Sequence, residues 1–224
     1  ALEISTLGLL DPGKLESKQG LYMVEAFDPN KIPVVMVHGL WSSPMTWMEM
    51  FNDLLAYPEI RSNYQFWFYL YPTGEPFWKS AEQLRADLAA ARRVLDPDRI
   101  NPVFDRMVLV GHSMGGLVSM MQTLESGRDF WNLVSDQPFE QLQADPEVRD
   151  EIAQMVFFEP DPAVQQVITI GTPHRGSTFA NEYTRFLARK LIRLPSRMLW
   201  VTQRLTLENP GFFRDTDLLT ISTS

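Results

Sequence analysis

The sequence predicts an α/β protein built on a doubly wound, mainly parallel sheet, and three observations predict it. Apolar runs at 34–37 and 107–110, and the short stretch Val167 to Ile170, suit strands buried on both faces. Helix-compatible segments alternate with them, as a parallel sheet requires. Each run also ends in a chemically pointed turn: His38-Gly39-Leu40, Gly111-His112-Ser113-Met114-Gly115 and Gly171-Thr172-Pro173-His174. In such sheets function gathers at the carboxyl ends of strands.

The elements follow in order. Leu21 to Phe27 reads as a short strand after Gly20, closed by the turn Asp28-Pro29-Asn30. The Val34–Val37 run is the next strand. Met45 to Tyr57 is expected to be helical and to stop at Pro58. Gln65 to Tyr71 is aromatic-rich and strand-like, stopped by Pro72 and Gly74. Ala81, Leu84, Leu88, Ala91 and Leu95 recur at steps of three and four, the stripe of an amphipathic helix closed by Asp96-Pro97. Met107 to Val110 leads into the Ser113 turn and a helix to about Glu125. Gly127 to Pro162 reads as irregular, and Val167 to Ile170 as another buried strand. Phe179 to Leu194 is expected to be helical, with Phe179, Tyr183, Phe186, Leu187, Leu191 and Leu194 on one face.

A chain of 224 residues, 45% hydrophobic and 21% charged, is long enough for one domain with a substantial core. No apolar stretch approaches the roughly 18 residues of a membrane span, and no signal-peptide pattern opens the chain, so localisation stays undetermined. The absence of cysteine rules out disulfides, thiolate metal sites and a cysteine nucleophile. A net charge of -8 argues against nucleic acid as a partner. Tyr183 to Leu207 holds six bases and no acid, so the remainder carries -14. The three histidines have no metal-ligand spacing, and no cofactor is expected. The glycines around Ser113 lack the early Gly-x-Gly of a dinucleotide-binding turn.

Gly111 to Gly115 is a G-x-S-x-G sequence between an apolar strand and a helix, the context of a nucleophile elbow. A serine at the tip of a strained turn crowds its neighbours, so small residues two positions either side let the backbone close. The three turns together resemble the α/β-hydrolase superfamily, and its lipase and esterase branch in particular. The 171–177 sequence is similar to a G-x-P-H-x-G motif of bacterial lipases. The likeness covers about residues 30–180.

That resemblance implies an oxyanion hole made by the backbone N–H groups of Leu40 and Met114, with Ser113 as the nucleophile. It implies a triad in the order serine, acid, histidine. Only His38, His112 and His174 are available. His112 adjoins the nucleophile and leaves the turn in another direction; His38 fits a bracing role in the oxyanion turn. His174 follows a strand expected beside that of Ser113 and reads as a brace, with general base as the alternative. Asp215 and Asp217 read as solvated loop carboxylates. The superfamily expects two further strands carrying the acid and the histidine. Both are therefore expected beyond Ser224, with residues 1–224 as one domain truncated at the carboxyl end and inactive alone.

Trp41 and Trp78, on turns at the active face, are assigned to the substrate pocket, and lipid or a small ester is the expected substrate. The basic amphipathic segment 179–205 is a candidate lid helix (about 178–205) able to touch a lipid surface. A C-terminal segment completing the fold is the other expected partner. The leading function is a serine carboxylic-ester hydrolase acting through an acyl-enzyme. An acyltransferase on the same scaffold and a non-catalytic interaction module are the alternatives.

Overall fold

The computed structural model describes residues 18–174 and 204–214. Five strands form one sheet: β1 (Gly20–Met23), β2 (Ile32–Val37), β3 (Tyr64–Leu70), β4 (Met107–His112) and β5 (Val164–Ile170). Their order across the sheet is β1-β3-β2-β4-β5, with β1 antiparallel to β3 and every other pair parallel.

Side chains alternate across a strand, so an unbroken apolar run supplies two cores at once. Val35 and Val37 of β2 join Trp67, Tyr69, Met107 and Leu109 on one face. There they meet Ala81, Leu84 and Leu88 of helix α3 (Phe77–Leu95) and Val118 of α4 (Met114–Met120). Val34 and Met36 point the other way, with Phe66, Phe68 and Val110. That face is covered by Trp47 and by Met48, Phe51, Leu54 and Leu55 of α1 (Met48–Leu55). Each fully buried leucine of α3 contributes about 2 kcal/mol of burial. Helices on both faces make the sheet doubly wound, as expected.

Several boundaries differ, each for a tertiary reason. β1 stops at Met23 rather than Phe27, because its ladder with β3 ends at the Met23–Trp67 pair. The turn beyond is held by the Gln65 side chain, whose Nε2 donates to the carbonyls of Asp28 (2.7 Å) and Lys31 (2.6 Å). The segment expected to be helical from Met45 to Tyr57 begins as a 3-10 turn (Pro44–Trp47) and its helix ends at Leu55, while Pro58 opens α2 (Pro58–Asn63), where a missing N–H costs nothing. The elbow helix ends at Met120 instead of Glu125. The carbonyls just past its end are taken by other elements: Arg85 Nη2 donates to Met121 O at 3.3 Å and the Asp161 N–H to Gln122 O at 2.8 Å.

The stretch read as irregular contains α5 (Asp129–Asn132) and α6 (Pro146–Val156). Trp131 gathers Phe139, Phe157, Phe212 and Phe213 around it, which docks the helical turn 204–208 and its successor onto this region. β5, expected to be buried, has one open face: Ile168 and Ile170 are 43% and 39% exposed. It lies at the edge of the described sheet. Residues 179–203, and with them the candidate lid helix, lie outside the described residues, as do Asp215 and Asp217. No helix among the described residues is long and apolar enough to cross a membrane.

Candidate active site

β2, β4 and β5 are adjacent and parallel, so their carboxyl ends bring the three pointed turns side by side. Ser113 sits between β4 and α4 with φ 52° and ψ -122°, a conformation that costs a non-glycine residue about 1–3 kcal/mol. The surroundings hold it there. Its N–H donates to Ile170 O at 2.9 Å, and its carbonyl accepts the Gly116 N–H at 3.1 Å.

Close packing explains the glycines. A Cβ at Gly115 would stand 2.2 Å from Val37 O and 2.4 Å from His38 O, so the first turn of α4 lies directly on the end of β2. A Cβ at Gly116 would stand 1.9 Å from Thr172 Oγ1, in the turn after β5. Gly39 lies against the serine itself, its ideal Cβ 2.9 Å from Ser113 Cβ. The residue types required at the elbow are thus set by both neighbouring strands.

The N–H groups of Leu40 and Met114 donate to no protein acceptor among the described residues. For Met114 this follows from its place in the first helical turn, where no carbonyl lies one turn back. Leu40 is 44% exposed and Trp41 58% exposed, with Trp41 at φ 55°. Trp78 lies in the first turn of α3 rather than on a turn before it. It is half-buried against the larger core, its ring edge-on to Phe77 at 5.3 Å.

The histidines occupy three different settings. His38 is fully buried, stacked on Tyr71 with ring centroids 4.5 Å apart, and its Nδ1–H donates to Gly39 O at 3.1 Å. A carbonyl can only accept, so the proton is on Nδ1; burial pulls the pKa down to about 4. His112 is exposed, edge-on to Trp47 at 6.4 Å. His174 folds back on β5, its Nε2 3.2 Å from Thr169 Oγ1. Two residues that sequence reasoning passed over stand beside the turn after β2: Tyr71, whose hydroxyl donates to His38 O at 2.7 Å, and Thr73, whose Oγ1 accepts the Trp41 N–H at 3.3 Å. Tyr71-Pro72-Thr73 looked like the stop of a strand, and nothing in its composition marked it further.

Residues 34–222 match the model of the Alpha/beta hydrolase family. No curated protein matches the sequence significantly. The mature form of Bacillus licheniformis lipase BlEst2 is a similar solved structure, 22% identical with a TM-score of 0.43, over 86% of this chain and 66% of that one. A marine microorganism esterase is 14% identical with a TM-score of 0.41, over 91% of this chain and 62% of that one. The chain spans less than two thirds of the length of either. The family match runs from the second strand through the elbow and on past the third pointed turn; on it, the chain belongs to the alpha/beta hydrolase family.

Proposed function

We propose that this hydrolase-family chain acts on carboxylic esters through Ser113. The observation that carries the reading is the strained serine, φ 52° and ψ -122°, on a strand-to-helix turn walled in by β2 and β5. A side chain is held in such a conformation only where the structure around it overdetermines it, and active sites are among the places where such residues cluster. In the proposed reaction Ser113 Oγ bonds to the acyl carbon, its proton leaves to a general base, and the alcohol departs to leave an acyl-enzyme. Water then attacks the acyl carbon and releases the acid.

The carbonyl oxygen becomes an oxyanion in each step, and backbone donors about 3 Å away stabilise it. The unengaged N–H groups of Leu40 and Met114 support that assignment. His38, His112 and His174 take supporting roles. His38 already gives its one N–H to Gly39, and His174 Nε2 is engaged by Thr169. The exposed apolar side chains of Leu40 and Trp41 support an acyl or lipid substrate, which needs apolar walls.

The test is covalent labelling of the full-length protein with a fluorophosphonate in excess, followed by peptide mapping. The expected outcome is one phosphonate per chain on Ser113 and none in Ser113→Ala. A label spread over surface serines, with Ser113 no more reactive than the rest, refutes the assignment.

A further inference from the structure

The turn that presents Leu40 is anchored from two sides by the chain that follows β3. Tyr71 is 1% exposed and holds His38 twice, by stacking on its ring and by donating its hydroxyl to the His38 carbonyl. The His38 ring in turn donates Nδ1–H to Gly39 O. That carbonyl belongs to the same peptide unit as the Leu40 N–H. In a planar trans peptide the two point in opposite directions, so whatever fixes the carbonyl aims the N–H. On the far side Thr73, also 1% exposed, accepts the Trp41 N–H. Trp41 is held at φ 55°, a region that a bulky residue leaves unless something keeps it there. Between the anchors stand Gly39, pressed against Ser113, and Leu40.

We propose that Tyr71 and Thr73 are positioning residues that aim the Leu40 N–H at the oxyanion formed on Ser113. The inference rests on the roles given above to Ser113 and Leu40. Tyr71 acts through His38 and the Gly39 carbonyl; Thr73 acts through the Trp41 amide. Neither touches substrate. An oxyanion donor works by being in place before charge develops, and a misplacement of about 1 Å costs roughly 100-fold in rate.

Thr73→Val removes the acceptor at nearly constant shape, Tyr71→Phe removes the hydroxyl and keeps the stack, and Thr73→Ser keeps the acceptor. With excess fluorophosphonate, the saturating rate constant for Ser113 modification should fall by about 100-fold in Thr73→Val and Tyr71→Phe. The half-saturating concentration should stay within about twofold, and Thr73→Ser should regain most of the rate. Amide spectra of the ¹⁵N-labelled chain read the anchor without any chemistry. The Leu40 and Trp41 resonances should move in Thr73→Val and Tyr71→Phe and return in Thr73→Ser, while the sheet resonances stay put. Unmoved Leu40 and Trp41 resonances in both variants, or wild-type labelling rates in both, overturn the proposal. If wild-type Ser113 takes no label, the ester-hydrolase reading fails by itself, and the amide spectra still decide whether Tyr71 and Thr73 set the turn.

Discussion

Acidification should destabilise the fold through His38. The ring is fully buried, its Nδ1–H is committed to Gly39 O, and its Nε2 has no hydrogen-bond partner among the described residues. A proton added at Nε2 would bring charge into an apolar setting with no acceptor for it. Burial accordingly lowers the pKa from 6.5 to about 4, against the smaller opposing effect of the Gly39 carbonyl. Between those values the unfolded chain binds a proton that the native chain refuses. The stability is therefore complete above about pH 6.5 and is lost as pH falls toward the native value. Linkage puts the loss at about 2 kcal/mol by pH 5 and about 3 kcal/mol by pH 4. Reversible urea unfolding at about pH 7.5 and about pH 5, on the wild type and on His38→Gln, isolates this contribution. The wild type should lose about 2 kcal/mol more than the variant between the two conditions. Equal losses in the two proteins would refute the reasoning.

Three further outcomes follow from the packing. Gly115→Ala drives a methyl group into the backbone carbonyls of Val37, at the end of β2, and His38 just after it, which cannot swing aside. It should cost about 1–3 kcal/mol or more in urea unfolding and slow Ser113 labelling; an unchanged midpoint would show that the elbow yields. Arg92 pairs with Asp96 at 2.9 Å and with Asp105, and lies over the Phe104 ring at 4.4 Å. Asp96 is 3% exposed, and Arg92→Ala leaves its buried charge with no cation and only the Ile100 and Asn101 N–H groups on Oδ1, so it should cost about 3 kcal/mol; Arg92→Ala with Asp96→Asn should recover part of that in the same assay. His174→Ala removes a contact to Thr169 but no group assigned to the reaction, so the rate of Ser113 labelling should stay within about tenfold. A loss as large as that of Ser113→Ala, with circular dichroism unchanged, would make His174 the general base.

Much of this protein is legible along the chain. The runs at 34–37 and 107–110 read as strands buried on both faces, because they are short, rich in valine and closed by glycine turns, and a doubly covered strand uses apolar side chains at consecutive positions. The structure divides each run between two cores in that way. The elbow was readable for a similar reason: the small residues at 111, 115 and 116 are a local record of backbone crowding. What sequence could not supply was whatever depends on a partner distant in the chain. The edge exposure of Ile168 and Ile170 depends on which elements flank β5, and the early end of the elbow helix on Arg85 and Asp161. α6 is hidden in the sequence because the aspartates and prolines around it read as a loop, although Asp145-Pro146-Glu147 is compatible with a helix start. Tyr71 and Thr73 carried no mark at all. A buried tyrosine at a strand end reads as core, and only the sheet order, which lays β3 beside β2, brings its hydroxyl to the His38 carbonyl 33 residues away. Periodicity and glycine placement are short-range consequences of backbone geometry and are written into neighbouring residues. The aim of a single N–H is set by contacts across the sheet, and those exist only once the chain has folded.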